Sequence, residues 1–171
     1  MKTILKLPKG QYEAVIAHLL PPRSSLEEAA FLFATAVRSG DLVTFDVQAA
    51  ELLSGDDYES HESDYLELLD ETRARLIKRA HDLGSSLVEM HSHPGPSPAA
   101  FSFADRIGLD ETVPHMWWRL SKRPYLAIVV ARSGFDALVW LDGPKIPQAL
   151  DALVAGDHLL KPTNLSLRYY S

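Results

Sequence analysis

Two histidines separated by a single residue, His91 and His93, stand at the end of the apolar run 86–90. In an extended strand, side chains two positions apart point to the same face, so both imidazoles can face one ion. Asp105 follows at the start of a predicted helix, after a loop rich in glycine and proline that can fold back over the pair. Two histidines and one carboxylate leave the fourth position of a tetrahedral zinc ion open for water, as in catalytic rather than structural zinc sites.

The chain has no cysteine, which removes thiolate nucleophiles, disulfide frameworks and every zinc site with sulfur ligands. Imidazole and carboxylate ligands suit zinc, with iron and nickel as alternatives. An isolated His-x-His pair is only polar surface in most proteins. Here the pair ends an apolar strand, Pro94 follows it, and the Ser-x-x-Asp run 102–105 is within reach, so we predict a zinc site.

Together these residues resemble the JAMM signature of the JAB/MPN metallo-isopeptidase family. That signature is a glutamate before an apolar strand, then His-x-His-Pro, then Ser-x-x-Asp, and the chain has these parts in order in Glu27, 91–94 and 102–105. The resemblance extends from the first predicted helix to residue 141. The chain is especially similar to the small bacterial JAB proteins encoded beside E1-like and E2-like proteins. In one departure, eight residues separate His93 from Ser102, one more than in many members.

The resemblance implies a zinc-dependent hydrolase that cuts isopeptide or peptide bonds after the C-terminus of a ubiquitin-like protein. That protein, its conjugates and E1-like and E2-like proteins are the implied partners. The implied site has His91, His93 and Asp105 as zinc ligands, Glu27 as general base and Ser102 as the group that stabilises the oxyanion.

Three alternatives remain within the resemblance: a hydrolase of a sulfur-carrier precursor or small cysteine-derived conjugate, the DNA-repair-associated branch of the clan, and a non-catalytic MPN scaffold. The complete motif argues against the scaffold, because scaffold members have lost it. The acidic charge balance argues against the DNA-repair branch.

The general base has a rival. In the family, the glutamate lies three residues before a small residue that opens an apolar strand, which matches Glu27 and Ala30. Glu89 is the alternative, because strand periodicity places it on the same face as the two histidines. The motif favours Glu27, with Glu89 and Glu28 as solvated or supporting charge. Ser102 has a second candidate role as the N-cap of the following helix.

The remaining histidines and the aromatic run 115–118 are predicted to be structural. His18 and His81 fall on predicted helices, and His61 and His158 lie in polar or terminal segments without a partner at ligand spacing. The run His-Met-Trp-Trp at 115–118 is expected to pack against the sheet with one edge exposed. The alternative is a docking surface for the extended C-terminal tail of the substrate.

The predicted elements alternate between strands and helices, which indicates an α/β or α+β domain. Strands are predicted at 2–7, 29–37, 42–48, 86–94, 125–131 and 136–141, helices at 12–20, 65–83, from 102 and at 147–154, and an exposed loop at 54–63. The length of 171 residues fits a single domain over 1–171. The resemblance implies an α/β fold of the JAB/MPN type, a cytidine-deaminase-like curved mixed β-sheet flanked by helices.

Charge and hydropathy limit the expected partners. The chain has 17 Lys and Arg against 23 Asp and Glu, a net charge of −6, whereas a duplex-binding domain usually has a basic footprint. No apolar run approaches the roughly 20 residues that span a bilayer. The first residues of the chain contain no apolar stretch of signal-peptide length. We therefore expect no nucleic-acid partner, no membrane contact and a cytoplasmic location.

Overall fold

The strands and helices of the chain form an α/β fold in the computed structural model, which describes residues 1–170. The strands are β1 (Lys2–Leu7), β2 (Ala29–Ser39), β3 (Leu42–Leu52), β4 (Tyr58–His61), β5 (Leu66–Leu68), β6 (Ser86–Ser92), β7 (Tyr125–Ala131), β8 (Gly134–Trp140), β9 (Ala152–Ala155) and β10 (His158–Leu160), the helices are α1 (Lys9–Leu19), α2 (Asp70–Leu83) and α3 (Phe103–Arg119), and short 3-10 turns lie at Gly55–Asp57 and Leu167–Tyr170. Eight strands make one sheet in the order β10-β9-β1-β3-β2-β6-β7-β8, and β4 and β5 form a separate hairpin. The sheet contains parallel and antiparallel pairs, is curled, and is flanked by the three helices, as predicted.

The order of the strands places the two halves of the predicted site side by side. β2 lies between β3 and β6 and is antiparallel to both, and its register with β6 pairs Ala29 with His91. Because β2 and β6 run in opposite directions, the residues just before Ala29 lie beside the residues just after His91. The sheet therefore brings Glu27 next to His93.

Both faces of the sheet are buried. On one face α1 packs through Val15 and Leu19, and on the other α2 and α3 pack through side chains that include Leu76 and Val113. A strand that is covered on both faces has no polar side. This explains why the run 29–34 is continuously apolar rather than alternating.

Most of the predicted elements are confirmed, including β1, the antiparallel pair β2 and β3, β6, and the hairpin of β7 and β8. Gly84 ends α2 as predicted, in a left-handed conformation with φ of 64° that glycine adopts without steric cost. α3 begins after Ser102 and continues through Pro114 to Arg119. No helix among the described residues is long and apolar enough to cross a membrane.

Two predictions between β3 and α2 are wrong. The segment 54–63 is not an exposed loop, since it includes β4 and the buried side chain of Tyr58. The helix predicted from Tyr65 begins only at Asp70, because 66–68 pair with β4 as strand β5. A short apolar run fits a strand as well as a helical turn, and here the pairing with β4 decides between them.

The helix predicted at 147–154 is also wrong. Ala152–Ala155 form β9, which is parallel to β1, and Gln148 pairs with Val139 in an isolated bridge. The backbone of β1 offers hydrogen-bond partners that a local pattern cannot reveal. The sheet pairing therefore overrides the helical spacing of the apolar residues.

Candidate metal centre

Three side-chain atoms of the predicted site converge. Nε2 of His91 lies 3.2 Å from Nε2 of His93 and 3.2 Å from Oδ2 of Asp105, and Nε2 of His93 lies 3.0 Å from the same Oδ2. A tetrahedral zinc ion with bonds of about 2.0 Å separates its ligand atoms by roughly 3.3 Å. The three atoms therefore have a spacing close to that of ligands of one ion.

The position of the two histidines follows from β6. His91 is the second-last residue of β6, which ends at Ser92. The amide of His93 donates a hydrogen bond to the carbonyl of Val130 on β7 at 2.8 Å. This bond continues the strand pairing one residue beyond β6. Alternation along the extended chain then places both imidazoles on one face, as the spacing predicted.

Asp105 is held by the start of α3. Oγ of Ser102 accepts a hydrogen bond from the amide of Asp105 at 3.0 Å, and the amide of Ser102 donates to Oδ2 of Asp105 at 2.9 Å. This reciprocal pair is a capping box, and it confirms the N-cap role of Ser102. Because Oγ is the acceptor in this pair, the hydroxyl proton of Ser102 can be donated to another group.

The carboxylate of Asp105 and the imidazoles beside it shift the pKa values of the site. Burial alone would raise the pKa of Asp105, but the hydrogen bonds with His91 and His93, the charge of His91 and the amide of Ser102 outweigh it and hold the pKa well below its ordinary value. Burial would lower the pKa of His91, and the contact with Asp105 raises it instead. The carboxylate therefore stays ionised and provides the negative charge that favours a cation.

Glu27 is the fourth titratable group of the site. Its side chain is 6% exposed, and Oε2 lies 3.8 Å from Nε2 of His93. One ligand atom each from Glu27, His91 and His93 lie within 4.8 Å of one another, so these residues could hold a metal ion. The shorter distances from Asp105 to both imidazoles match tetrahedral spacing better. Burial raises the pKa of Glu27, and the charges of the two histidines partly offset that rise.

Glu89 and Glu28 make their closest contacts elsewhere. Oε1 of Glu89 accepts the hydroxyl of Tyr125 at 2.6 Å, and burial raises the pKa of this carboxyl. Oε2 of Glu28 accepts the hydroxyl of Tyr58 at 3.2 Å, and Oε1 lies 2.9 Å from Nε2 of His61 without hydrogen-bond angles. Glu28 is thus a supporting charge that contacts β4 rather than a solvated one. His61 has a partner that its place in the sequence did not predict.

A cavity of about 540 Å³ opens beside the convergent atoms, with the β4–β5 hairpin and α3 among its walls. Its border includes exposed apolar side chains: Phe103 and Ile107 on α3 are 71% and 46% exposed, and Tyr65 in the hairpin is 45% exposed. Charged residues of the hairpin and helices also line it, among them Asp64, Glu67, Arg73 and Glu111. This hairpin wall was not among the predicted elements, and the apolar residues Tyr58, Leu66 and Leu68 were the available signal for it.

The other motifs have structural contacts. Nε2 of His18 on α1 lies 3.1 Å from the carbonyl of Ala29. In the aromatic run 115–118, Met116 and Trp117 are buried and Trp118 is 77% exposed, which confirms packing with one exposed edge. The cavity is lined by the 103–112 part of α3 rather than by this run, so it gives no support to the docking alternative.

Comparison of the sequence with protein-family models and with curated proteins finds no match.

Proposed function

We propose that this chain is a zinc-dependent metallo-isopeptidase of the JAB/MPN type, which hydrolyses the peptide or isopeptide bond after the C-terminus of a ubiquitin-like protein. The observation that carries the proposal is the convergence of His91, His93 and Asp105 within 3.2 Å of one another, with the buried carboxylate of Glu27 beside them. The curled mixed sheet with its three flanking helices is compatible with this type of fold.

The donor set fits zinc. Two imidazole nitrogens and one carboxylate oxygen are ligands that zinc commonly binds, and their spacing matches a tetrahedral ion with one open position. When bound, zinc would polarise the scissile carbonyl and lower the pKa of a water molecule to about 7. The chain holds the three ligands on two different elements, β6 with its extension and the first turn of α3, so the site forms only when these elements are packed together.

In this proposal Glu27 acts first as general base and then as general acid. Its carboxylate takes a proton from the attacking water and delivers it to the leaving nitrogen. Burial, which raises the pKa of Glu27, strengthens the carboxylate as a base. Glu89 is less suited to this role because its carboxylate accepts the hydroxyl of Tyr125.

In this proposal the hydroxyl of Ser102 stabilises the developing oxyanion. The hydroxyl oxygen is fixed by the bond from the amide of Asp105, so the direction of the side chain is set before substrate arrives. The hydroxyl proton then donates to the scissile carbonyl oxygen as that oxygen gains negative charge. One residue thus caps α3 and stabilises the transition state.

The cavity is compatible with a polypeptide substrate. Its volume of about 540 Å³ lies in the range of pockets that bind drug-sized molecules, and it has room for several side chains of an extended segment. Exposed apolar residues on its border, including Phe103 and Ile107, can cover the apolar part of such a segment. The C-terminal tail of a ubiquitin-like protein is an extended segment of this kind.

The test combines metal analysis with a cleavage assay. Fusions of ubiquitin and of bacterial ubiquitin-like proteins to a C-terminal reporter peptide are incubated with the purified chain, and the products are identified by mass spectrometry. We expect about one zinc per chain, cleavage after the C-terminus of the modifier, loss of cleavage with phenanthroline and recovery with zinc. The double variant His91→Ala with His93→Ala should hold no zinc. Undiminished zinc in this variant, or cleavage that survives complete metal removal, would contradict the proposal.

A further inference from the structure

The loop that joins β6 to α3 is held by a distant part of the chain. This loop, residues 94–101, contains one glycine and three prolines and has no strand or helix of its own, yet it must place Ser102 and Asp105. The segment 162–170 contacts it twice through side chains. Oγ1 of Thr163 donates to the carbonyl of Ala99 at 2.7 Å, and Oγ of Ser166 accepts from the amide of Phe101 at 2.7 Å.

Ser166 is itself anchored to the large sheet. Its amide donates to Oδ2 of Asp136 on β8 at 3.0 Å, and Oδ1 of the same carboxylate accepts the amide of Ala137 at 2.9 Å. Ser166 and Asp136 are both completely buried. In addition, the amide of Thr163 donates to the carbonyl of Phe135 at 2.9 Å. The 162–170 segment is therefore fixed to the same strand at two points.

The chain of hydrogen bonds continues from Ser166 to the candidate metal centre. The amide of Phe101 is bound by Ser166, and the next amide along the chain, that of Ser102, donates to Oδ2 of Asp105 at 2.9 Å. Phe101 is buried, and its ring lies 6.0 Å from the ring of His91. Adjacent amides thus connect the buried Ser166 hydroxyl to the very oxygen that faces both histidines.

The 162–170 segment also contacts α3. The guanidinium carbon of Arg106, the residue after Asp105, lies 3.6 Å from the centre of the Tyr169 ring. A cation over an aromatic face is attracted to it. The first turn of α3 is therefore bordered by the segment as well as by its own capping box.

We propose that Ser166 is a positioning residue for the metal centre: through the amide of Phe101 it sets the orientation of Ser102, and through Ser102 the position of the Asp105 carboxylate. This inference rests on the proposed function for the metal itself. An outer-shell partner of a ligand typically changes metal affinity by about 10- to 100-fold. Since Ser166 acts on Asp105 through two residues, Phe101 and Ser102, we place its effect at the lower end, at roughly tenfold.

The experiment compares three variants of the full chain. Ser166→Ala removes the acceptor of the Phe101 amide, and Thr163→Val removes the second bond to the loop as an independent variant should the first not fold. Thr3→Val is the matched control, because Thr3 lies on β1, away from the candidate metal centre. The hydroxyl of this buried residue donates a hydrogen bond to the carbonyl of Ala149 at 2.9 Å. Zinc affinity is measured by competition with a chromophoric chelator, hydrogen exchange of the Ser102 amide by NMR without zinc, and thermal stability by circular dichroism.

We expect Ser166→Ala to weaken zinc binding by roughly tenfold and Thr163→Val by less, while Thr3→Val lowers thermal stability but leaves zinc affinity within about twofold. Exchange of the Ser102 amide should accelerate in the two loop variants and not in the control. Unchanged affinity and unchanged exchange in a folded Ser166→Ala or Thr163→Val would overturn the positioning role. If the unmodified chain binds no zinc, the proposed function fails, and the exchange of the Ser102 amide still decides whether Ser166 positions this residue.

Discussion

Among the individual residues, the two carboxylates of the candidate site, Asp105 and Glu27, have different surroundings. Asp105 is hydrogen-bonded, held ionised and equidistant within 0.2 Å from two imidazoles, at 3.0 and 3.2 Å, which suits a ligand. Glu27 is buried, has a raised pKa and stands 3.8 Å from the nearer imidazole, which suits a proton carrier. Different surroundings therefore favour different roles for the same functional group.

Replacement of Glu27 by glutamine should abolish turnover and leave the metal in place. The amide keeps the size of the side chain but cannot take a proton, and general acid–base catalysis is worth about 10² to 10⁴ in rate. The variant Glu27→Gln is therefore expected to lose at least that factor in kcat, with zinc content unchanged by elemental analysis. Glu89→Gln is the control, and an inactive Glu89→Gln beside an active Glu27→Gln would show that the base is Glu89.

The two roles of Ser102 can be separated by two substitutions. Ser102→Ala loses both the cap and the hydroxyl, and should lower the free energy of unfolding by about 1 kcal/mol. Ser102→Gly loses the hydroxyl, but glycine at an N-cap costs only a few tenths of a kcal/mol by comparison with serine. Both variants should lose kcat by a similar factor, measured beside urea denaturation. A Ser102→Gly variant with normal kcat would show that the residue is a cap alone.

Among the secondary-structure elements, the β4–β5 hairpin supports the backbone of Glu27, the candidate base. The hydroxyl of Tyr58 on β4 accepts the amide of Ala29, two residues after Glu27, at 2.9 Å, and the amide of Glu27 donates to the carbonyl of Glu62 at 2.9 Å. The hairpin was absent from the predicted elements, and in the structure it fixes the backbone on which the candidate base stands. An element that looked like a solvated loop is thus part of the wall of the site.

Removal of the Tyr58 hydroxyl should therefore affect both stability and turnover. Tyr58→Phe leaves the buried amide of Ala29 without an acceptor, which should lower the free energy of unfolding by about 1–3 kcal/mol. We expect a corresponding loss in urea denaturation and a several-fold lower kcat with zinc retained. Tyr65→Phe is the stability control, since the Tyr65 hydroxyl contacts Glu67 on the exposed surface and its loss should change the free energy of unfolding by less than about 0.5 kcal/mol. Equal stability of the two variants would contradict the structural role of Tyr58.

In the molecule as a whole, the candidate ligands come from separate elements, so we expect the metal to bind the folded chain and stabilise it. At free zinc about 100 times Kd, the stabilisation is about 2.7 kcal/mol, which corresponds to roughly 5–10 °C in Tm for a chain of this size. The shift should vanish with a chelator and in His91→Ala with His93→Ala. It should also shrink as the pH falls through the range in which imidazoles gain protons, because protons and zinc compete for the same nitrogens. A zinc-induced shift that persists in the double variant would place the metal elsewhere.

Local patterns were sufficient for a large part of the fold. The apolar runs of β2, β6 and β7 and the turn between β7 and β8 are encoded within a few neighbouring residues. The predictions failed where a segment takes its form from a partner distant in sequence, as β9 does from β1 and β5 from β4. A short strand near the border of a sheet or in a small hairpin is specified by the hydrogen bonds it receives as much as by its own composition.

The amino-acid sequence specifies the kinds of donor in the candidate site and the local geometry of each motif. Alternation within β6 aligns His91 with His93, and the spacing of Ser102 and Asp105 encodes a capping box at a helix start. That these motifs meet follows from long-range pairing, because the register of β2 with β6 and the contacts of the 162–170 segment with the 94–101 loop join residues far apart along the chain. Motifs depend on dihedral preferences of neighbouring residues, whereas their convergence depends on which surfaces of the folded chain exclude water together.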